Sequence, residues 1–124
     1  MKISRFEDIE AWQEARDLVR RVYKATNGCQ EFKRDLRLAS QVQDAAASSM
    51  GNIAEGFARR SNKEFIQYLY ISKGSAAEVQ SHMYVALDRG YISQEVFDSI
   101  YQQAEKVSRL DSGFIKYLTT QLRK

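Results

Sequence analysis

The 124-residue sequence contains no proline, where average usage near 5% would supply about six. A chain that keeps every backbone N–H and carries no fixed φ has nothing to interrupt long helices. Cysteine and histidine are almost absent. Cys29 alone excludes an internal disulfide, and with His82 as the single imidazole no zinc site of the usual Cys/His kind can be assembled. No apolar run approaches the roughly 20 residues needed to span a bilayer, and the opening MKISRFEDIEAW has no signal-peptide core. A cytoplasmic protein without a membrane partner is therefore expected. Charge is nearly balanced, with 19 Lys+Arg against 16 Asp+Glu, a net charge of +3 and a pI near 9.0. What is present is 44% hydrophobic and 28% charged, ordinary for a single globular domain, residues 1–124, that buries its own core.

The apolar residues recur at helical spacing, and no segment alternates apolar and polar over a useful length. The first helix is expected from about Phe6 to Thr26, with Ile9, Trp12, Ala15, Val19 and Val22 on one face. Ser4 stands three before Glu7 as a capping box, and Asn27-Gly28 ends the helix. The second runs from about Lys33 to Arg60, with Leu36, Ala39, Val42, Ala46, Ser49, Ile53 and Phe57 inward and small residues at 45–49 that permit close approach. Ser61 and Glu64 form a further capping box, and Phe65, Leu69, Ser72, Ala76, Val79, Met83 and Leu87 line the third helix as far as Gly90. Ser93 caps the fourth, whose stripe is Phe97, Ile100, Ala104, Val107, Leu110, Phe114 and Leu118, with room for a kink or a separate last turn at Gly113. Four amphipathic helices joined by short connections pack as an antiparallel up-down-up-down four-helix bundle, an all-α fold.

Material for catalysis is scarce, and the chain is read as not an enzyme. His82 lies at the edge of the core stripe and reads as a boundary histidine, and Cys29 as an incidental loop thiol with no imidazole beside it. A di-iron bundle site needs Glu-x-x-His on two helices, and the sequence has none, since Glu78 precedes His82 by four. Glu55 and Glu78 are expected near each other across the second and third helices, in contact with Asn52, Ser75 or arginines. Gly51, Gly56 and Gly74 form no phosphate-binding array, and they read as sites of close helix approach. No metal, cofactor or small-molecule substrate is expected.

Two surface patterns remain. Arg16, Arg20 and Lys24 recur at i, i+4 and i+8, inside a stretch (residues 16–37) where seven cations oppose three acids. Arg59, Arg60 and Lys63 form a second basic group at the turn between the second and third helices. Read alone, the stripe is a solvated face, and Arg59 and Arg60 complement the negative end of a helix. The other pattern is apolar. Ile66, Tyr70, Ala77 and Tyr84 form a second stripe beside the core stripe of the third helix, and large apolar side chains outside the single face a bundle must bury mark an interface between copies.

The run from Gln41 to Arg60, with Asn52-Ile53-Ala54-Glu55-Gly56 at its heart, is followed by Lys63-Glu64-Phe65, Tyr68-Leu69, Gly74-Ser75-Ala76 with Glu78, and Gly90-Tyr91-Ile92. With Phe6, Asp8, Ile9, Ala11-Trp12-Gln13 and Ala15 at the start, nearly the whole chain resembles the bacterial four-helix bundle family of 23S rRNA intervening-sequence proteins. The resemblance implies a small cytosolic bundle that assembles into a ring-shaped homopentamer and has no enzymatic activity. Some members are encoded within ribosomal RNA genes, and a related branch accompanies diversity-generating retroelements and is thought to bind nucleic acid. Two positions depart from the pattern. Gln30-Glu31-Phe32 stands where many members carry proline, and Asp44 stands where many carry arginine. Three roles follow as expectations: a self-assembling bundle that binds RNA or DNA through its basic helix faces, an oligomeric adaptor for another protein without nucleic acid, and, least favoured, an enzyme.

Overall fold

The computed structural model describes residues 3–122. A short 3₁₀ turn at Phe6–Asp8 precedes α1 (Glu10–Asn27), α2 (Gln30–Arg34), α3 (Leu36–Phe57), α4 (Asn62–Asp88) and α5 (Gln94–Leu122). The four long helices form the expected all-α bundle, with no strand among the described residues. α3 and α5 each pack against α4, and α1 packs against α3 and α5, so α1 and α4 occupy diagonally opposite corners.

The first helix begins later than its sequence suggests, and the Ser4–Glu7 capping box does not form. The Ser4 backbone N–H instead donates to Asp8 Oδ2 at 3.3 Å, and the helix starts after Ile9, whose extended backbone (φ −80°, ψ 121°) presents a buried side chain. Phe6 meets Trp12 edge-on with centroids 5.1 Å apart. Folding this turn back covers apolar surface that a straight continuation would leave in water.

The second helix is also divided. Phe32, fully buried, anchors the single turn of α2 and stacks on Tyr91 at 5.2 Å. The chain breaks at Asp35, whose carboxylate caps α3 by accepting from the Leu38 N–H at 3.2 Å and also accepts from the Tyr91 hydroxyl at 2.9 Å. Leu36, assigned inward from its spacing, is exposed at this new start. The later N-caps form at the expected residues, though Glu64 meets the Ser61 hydroxyl rather than its backbone N–H. Ser61 Oγ accepts from the Glu64 N–H and donates to its carboxylate, both at 3.2 Å, and Ser93 Oγ accepts from the Val96 N–H at 3.1 Å. Gly90 turns the chain between α4 and α5 at φ +75°, a conformation that favours glycine.

Three of the helix glycines contradict a uniform packing role. Gly51 and Gly74 face outward with nothing near the position a Cβ would take, and Gly113 likewise sits in open space within a continuous α5, so no separate last turn forms there. Gly56 is the one that packs. A Cβ there would lie 2.7 Å from Phe65 Cδ1 and 2.8 Å from Tyr68 Cβ. Gly56→Ala should destabilise by about 1–3 kcal/mol through overpacking, whereas Gly113→Ala should stabilise by about 1 kcal/mol through helix propensity alone. Urea unfolding of the two variants checks this contrast, and equal effects would contradict it.

Asp111 lies fully buried in the inward stripe of α5. Ser72 Oγ of α4 is 2.6 Å from Asp111 Oδ2 and 2.8 Å from the Ser49 carbonyl of α3. A hydroxyl has one proton to donate. Both contacts are hydrogen bonds when the carboxyl is protonated and donates to Ser72, which then donates to Ser49. Burial pushes Asp111 up to about 7, against the opposing hydrogen bond of Ser72 and the charge of Lys73. Between the ordinary carboxyl value of 3.8 and about 7 the unfolded chain releases this proton while the folded chain keeps it. Its contribution to stability is therefore complete below the lower value, falls as pH rises between the two, and is level above about 7. Asp111→Asn keeps a donor for Ser72 and removes the charge. Its melting temperature relative to the parent should rise from pH 5 to pH 8, by the equivalent of up to about 3 kcal/mol. A constant difference across that range would show that Asp111 ionises as an ordinary carboxylate.

Candidate functional site

α1 turns Ala11, Ala15, Leu18 and Val22 inward, which puts Arg16, Arg20 and Lys24 on its outer face, all exposed. The Arg16 guanidinium lies 5.9 Å from the Trp12 ring centroid. Among the described residues none of the three cations is in an ion pair. Their neighbour Arg21 points to the other side and is engaged within the fold: it donates to Asp17 at 3.0 Å and to the Ser99 hydroxyl of α5 at 2.9 Å. Below it Gln103 and Lys106 of α5 reach Glu14 at 3.0 and 3.3 Å, and the Gln103 amide holds the Glu14 carboxyl below its usual value. Side chains on the α5 side of α1 thus bind the bundle, and those on its outer face are free for another molecule.

The second basic group is divided by its surroundings. Arg59 donates to Glu55 at 3.0 Å and to the Tyr68 hydroxyl, and lies over the Tyr68 ring at 4.9 Å. Arg60 and Lys63 are exposed and, among the described residues, have no ion-pair partner. Arg59 and Arg60 border a cleft of about 340 Å³ that also includes Phe65, Phe114 and Tyr117. The α3–α4 turn lies at the end of the bundle where α1 begins, and Lys24 lies at the far end of α1, so the fold does not join the two groups into one continuous patch.

On α4 the core side is Phe65, Leu69, Ser72, Ala76, Val79, Met83 and Ala86. Tyr70 and Tyr84 remain 57% and 52% exposed, and Ala77 is exposed. Ile66 differs from the other three, being half-buried against the core. Tyr84 also rests on Phe97 of α5 with centroids 4.8 Å apart. Two further exposed residues, Ile71 and Val85, share this outer face, and a wider arc on the same helical wheel finds them. From Gln67 to Val85 the exposed positions of α4 carry one charge, Glu78.

Asn52 and Ser75 lie along the α3–α4 seam. Asn52 donates to the Ser48 carbonyl and hydroxyl at 2.8 and 2.9 Å, and Ser75 donates to Ser48 Oγ at 2.9 Å. Glu55 and Glu78 do not meet across the seam. Each faces outward, Glu55 paired with Arg59 of its own helix at 3.0 Å and Glu78 Oε2 lying 3.4 Å from His82 Nε2 without a hydrogen bond. His82 is a half-buried side chain whose Nε2 is buried without a hydrogen-bond partner. Cys29 is a half-buried free thiol. Among the described residues no group of three or more His, Cys, Asp or Glu could hold a metal ion, and no helix is long and apolar enough to cross a membrane.

The same architecture occurs in a protein of unknown function from Bacteroides thetaiotaomicron, of the S23 ribosomal protein family. It is 20% identical, superposes with a TM-score of 0.79, and covers 86% of this chain and 98% of its own. None of the curated proteins compared matches the sequence. Residues 7–113 match the family described as 23S rRNA-intervening sequence protein. That match spans most of the bundle, including the seam built from Asn52 and Ser75, and the chain belongs to the 23S rRNA-intervening sequence protein family.

Proposed function

We propose that this protein is a non-enzymatic, cytoplasmic bundle that self-assembles through the outer face of α4 and binds RNA or DNA through the basic face of α1. The observation that carries this reading is the segregation of charge between opposite corners of the bundle. The α4 corner exposes Tyr70, Ile71, Ala77, Tyr84 and Val85 beside a single carboxylate. The α1 corner, diagonally across, exposes Arg16, Arg20 and Lys24 without ion-pair partners among the described residues. Contact through α4 leaves the α1 faces in solvent on every copy. The outward glycines support the assembly half of the reading. An exposed helix glycine costs about 1 kcal/mol against alanine, and Gly51 and Gly74, with no neighbour within the chain, let a helix of another copy approach closely. A ring of five is the assembly that the family resemblance implies.

Binding of this kind is driven by phosphate contacts, so it is salt-sensitive and largely independent of sequence. Replacing Arg16, Arg20 and Lys24 with Glu should abolish RNA and DNA binding at about 50 mM salt and leave the melting temperature nearly unchanged, because exposed substitutions perturb stability little. Fluorescence anisotropy checks the first and circular dichroism the second. Full affinity in the folded triple variant would move the site to Arg60 and Lys63, and no binding by the parent would leave the adaptor role in its place.

Light scattering tests assembly. The parent should have about five times the 14.3 kDa mass of one chain. Tyr70→Glu with Tyr84→Glu should reduce it to a single chain with helicity retained, since an unpaired charge at a buried contact is strongly unfavourable. A parent that scatters as one chain would end the assembly reading.

A further inference from the structure

The Lys24 end of the basic stripe opens into a cleft of about 520 Å³ between the last turns of α1 and the first turns of α5. This volume is within the range of about 300–1,000 Å³ typical of sites for small organic ligands. Ile92, Val96 and Ile100 supply apolar wall, and Lys24, Ser93 and Ser99 supply polar groups. The two hydroxyls have unspent donors. Ser93 Oγ accepts from the Val96 N–H and Ser99 Oγ accepts from Arg21, and among the described residues neither O–H is given to a protein acceptor. Arg21, fixed by Asp17 and Ser99, forms a rigid cationic wall. Glu95, also on the lining, adds an acceptor. A flat ring with both carbonyl and amino groups on its edge suits two hydroxyl donors, one carboxylate acceptor and an apolar wall, and a phosphate attached to it suits Lys24.

We propose that this cleft holds one unpaired nucleotide of a bound strand, with its base against Val96 and Ile92 and its phosphate at Lys24. The proposal rests on the nucleic-acid reading above and sharpens it. The stripe Arg16-Arg20-Lys24 holds the backbone of any nucleic acid, whereas the cleft admits a base only where the strand is unstacked. Bases within a duplex remain paired and cannot enter, while loops and single strands can splay a base outward. The protein thereby prefers single-stranded segments beyond what charge alone provides.

Val96 is partly exposed, 36%, so Val96→Trp fills the cleft without entering the core. Cys29, the sole cysteine, lies on the same lining, and the rate of its alkylation by a maleimide reports whether the cleft is occupied. A short single-stranded RNA should lose about tenfold in affinity for Val96→Trp, the scale of losing the burial of one base against an apolar wall, while a duplex of the same length binds parent and variant alike. The single strand should slow Cys29 alkylation in the parent and the duplex should not. Equal affinity losses for both RNAs, or none for either, would overturn the cleft assignment and leave the stripe. Protection of Cys29 by a free nucleoside monophosphate as complete as that by the strand would also overturn it, in favour of a small-molecule site. Failure of the parent to bind either RNA would remove the nucleic-acid reading, and the cleft proposal with it.

Discussion

The bundle depends on one buried hydroxyl. Ser72, in the middle of α4, sits between the Ser49 carbonyl of α3 and the carboxyl of Asp111 in α5, and it joins three of the four long helices. Apolar faces alone tolerate sliding along one another, because burial is non-directional. A buried polar group is satisfied only when its partners are opposite it, and one left unpaired is strongly unfavourable. The Ser72 contacts therefore specify the axial position of α3, α4 and α5 together. The same register brings Gly56 under Phe65 and Tyr68, and Ser75 against Ser48. It also decides which residues of α4 are left facing out.

That outward remainder organises the surface. α4 is flanked by α3 and α5 and is covered by neither on the side of Tyr70, Gly74, Ala77 and Val85. α1 is placed diagonally across and is tied to α5 through Arg21, Glu14 and Gln103. Side chains that bind the bundle and the exposed cations Arg16, Arg20 and Lys24 thus sit on different faces of α1. Under the proposed assembly, each added copy brings its net charge of +3 without covering its own cations. Clustered basic faces raise the local potential and the rate of encounter with a polyanion.

The four long helices, the caps at Ser61 and Ser93 and most of the core could be read from the sequence, because each depends on residues within a turn or two of one another. The break before α3 has a physical cause that lies far along the chain. The break at Asp35 follows from Phe32 stacking on Tyr91 and from the Tyr91 hydroxyl reaching Asp35, partners 56 residues apart. The late start of α1 is a local effect that periodicity misses: Ile9 is buried as its spacing suggests, but the Ser4–Asp8 and Phe6–Trp12 contacts turn the chain before it. Gly74 and Gly56 look alike as glycines in helices, and only the neighbouring helix shows that Gly56 packs and Gly74 does not. Asp111 was detectable in principle, since it occupies a core position between Val107 and Ile115 at helical spacing, but a carboxylate reads as surface until a buried partner is known. Of the candidate surfaces, the exposure of Arg16, Arg20, Lys24, Tyr70 and Tyr84 follows from their wheel positions. The capture of Arg59 by Glu55 and Tyr68 needed the α3–α4 turn in three dimensions.

The central claim is that copies join through α4 while their α1 faces remain free for nucleic acid. Native mass spectrometry of the protein, alone and with a short single-stranded RNA, measures both halves at once. The account predicts a five-chain species whose mass increases by that of bound RNA with no loss of protein subunits. A single-chain species, or an oligomer that dissociates when RNA binds, would contradict it.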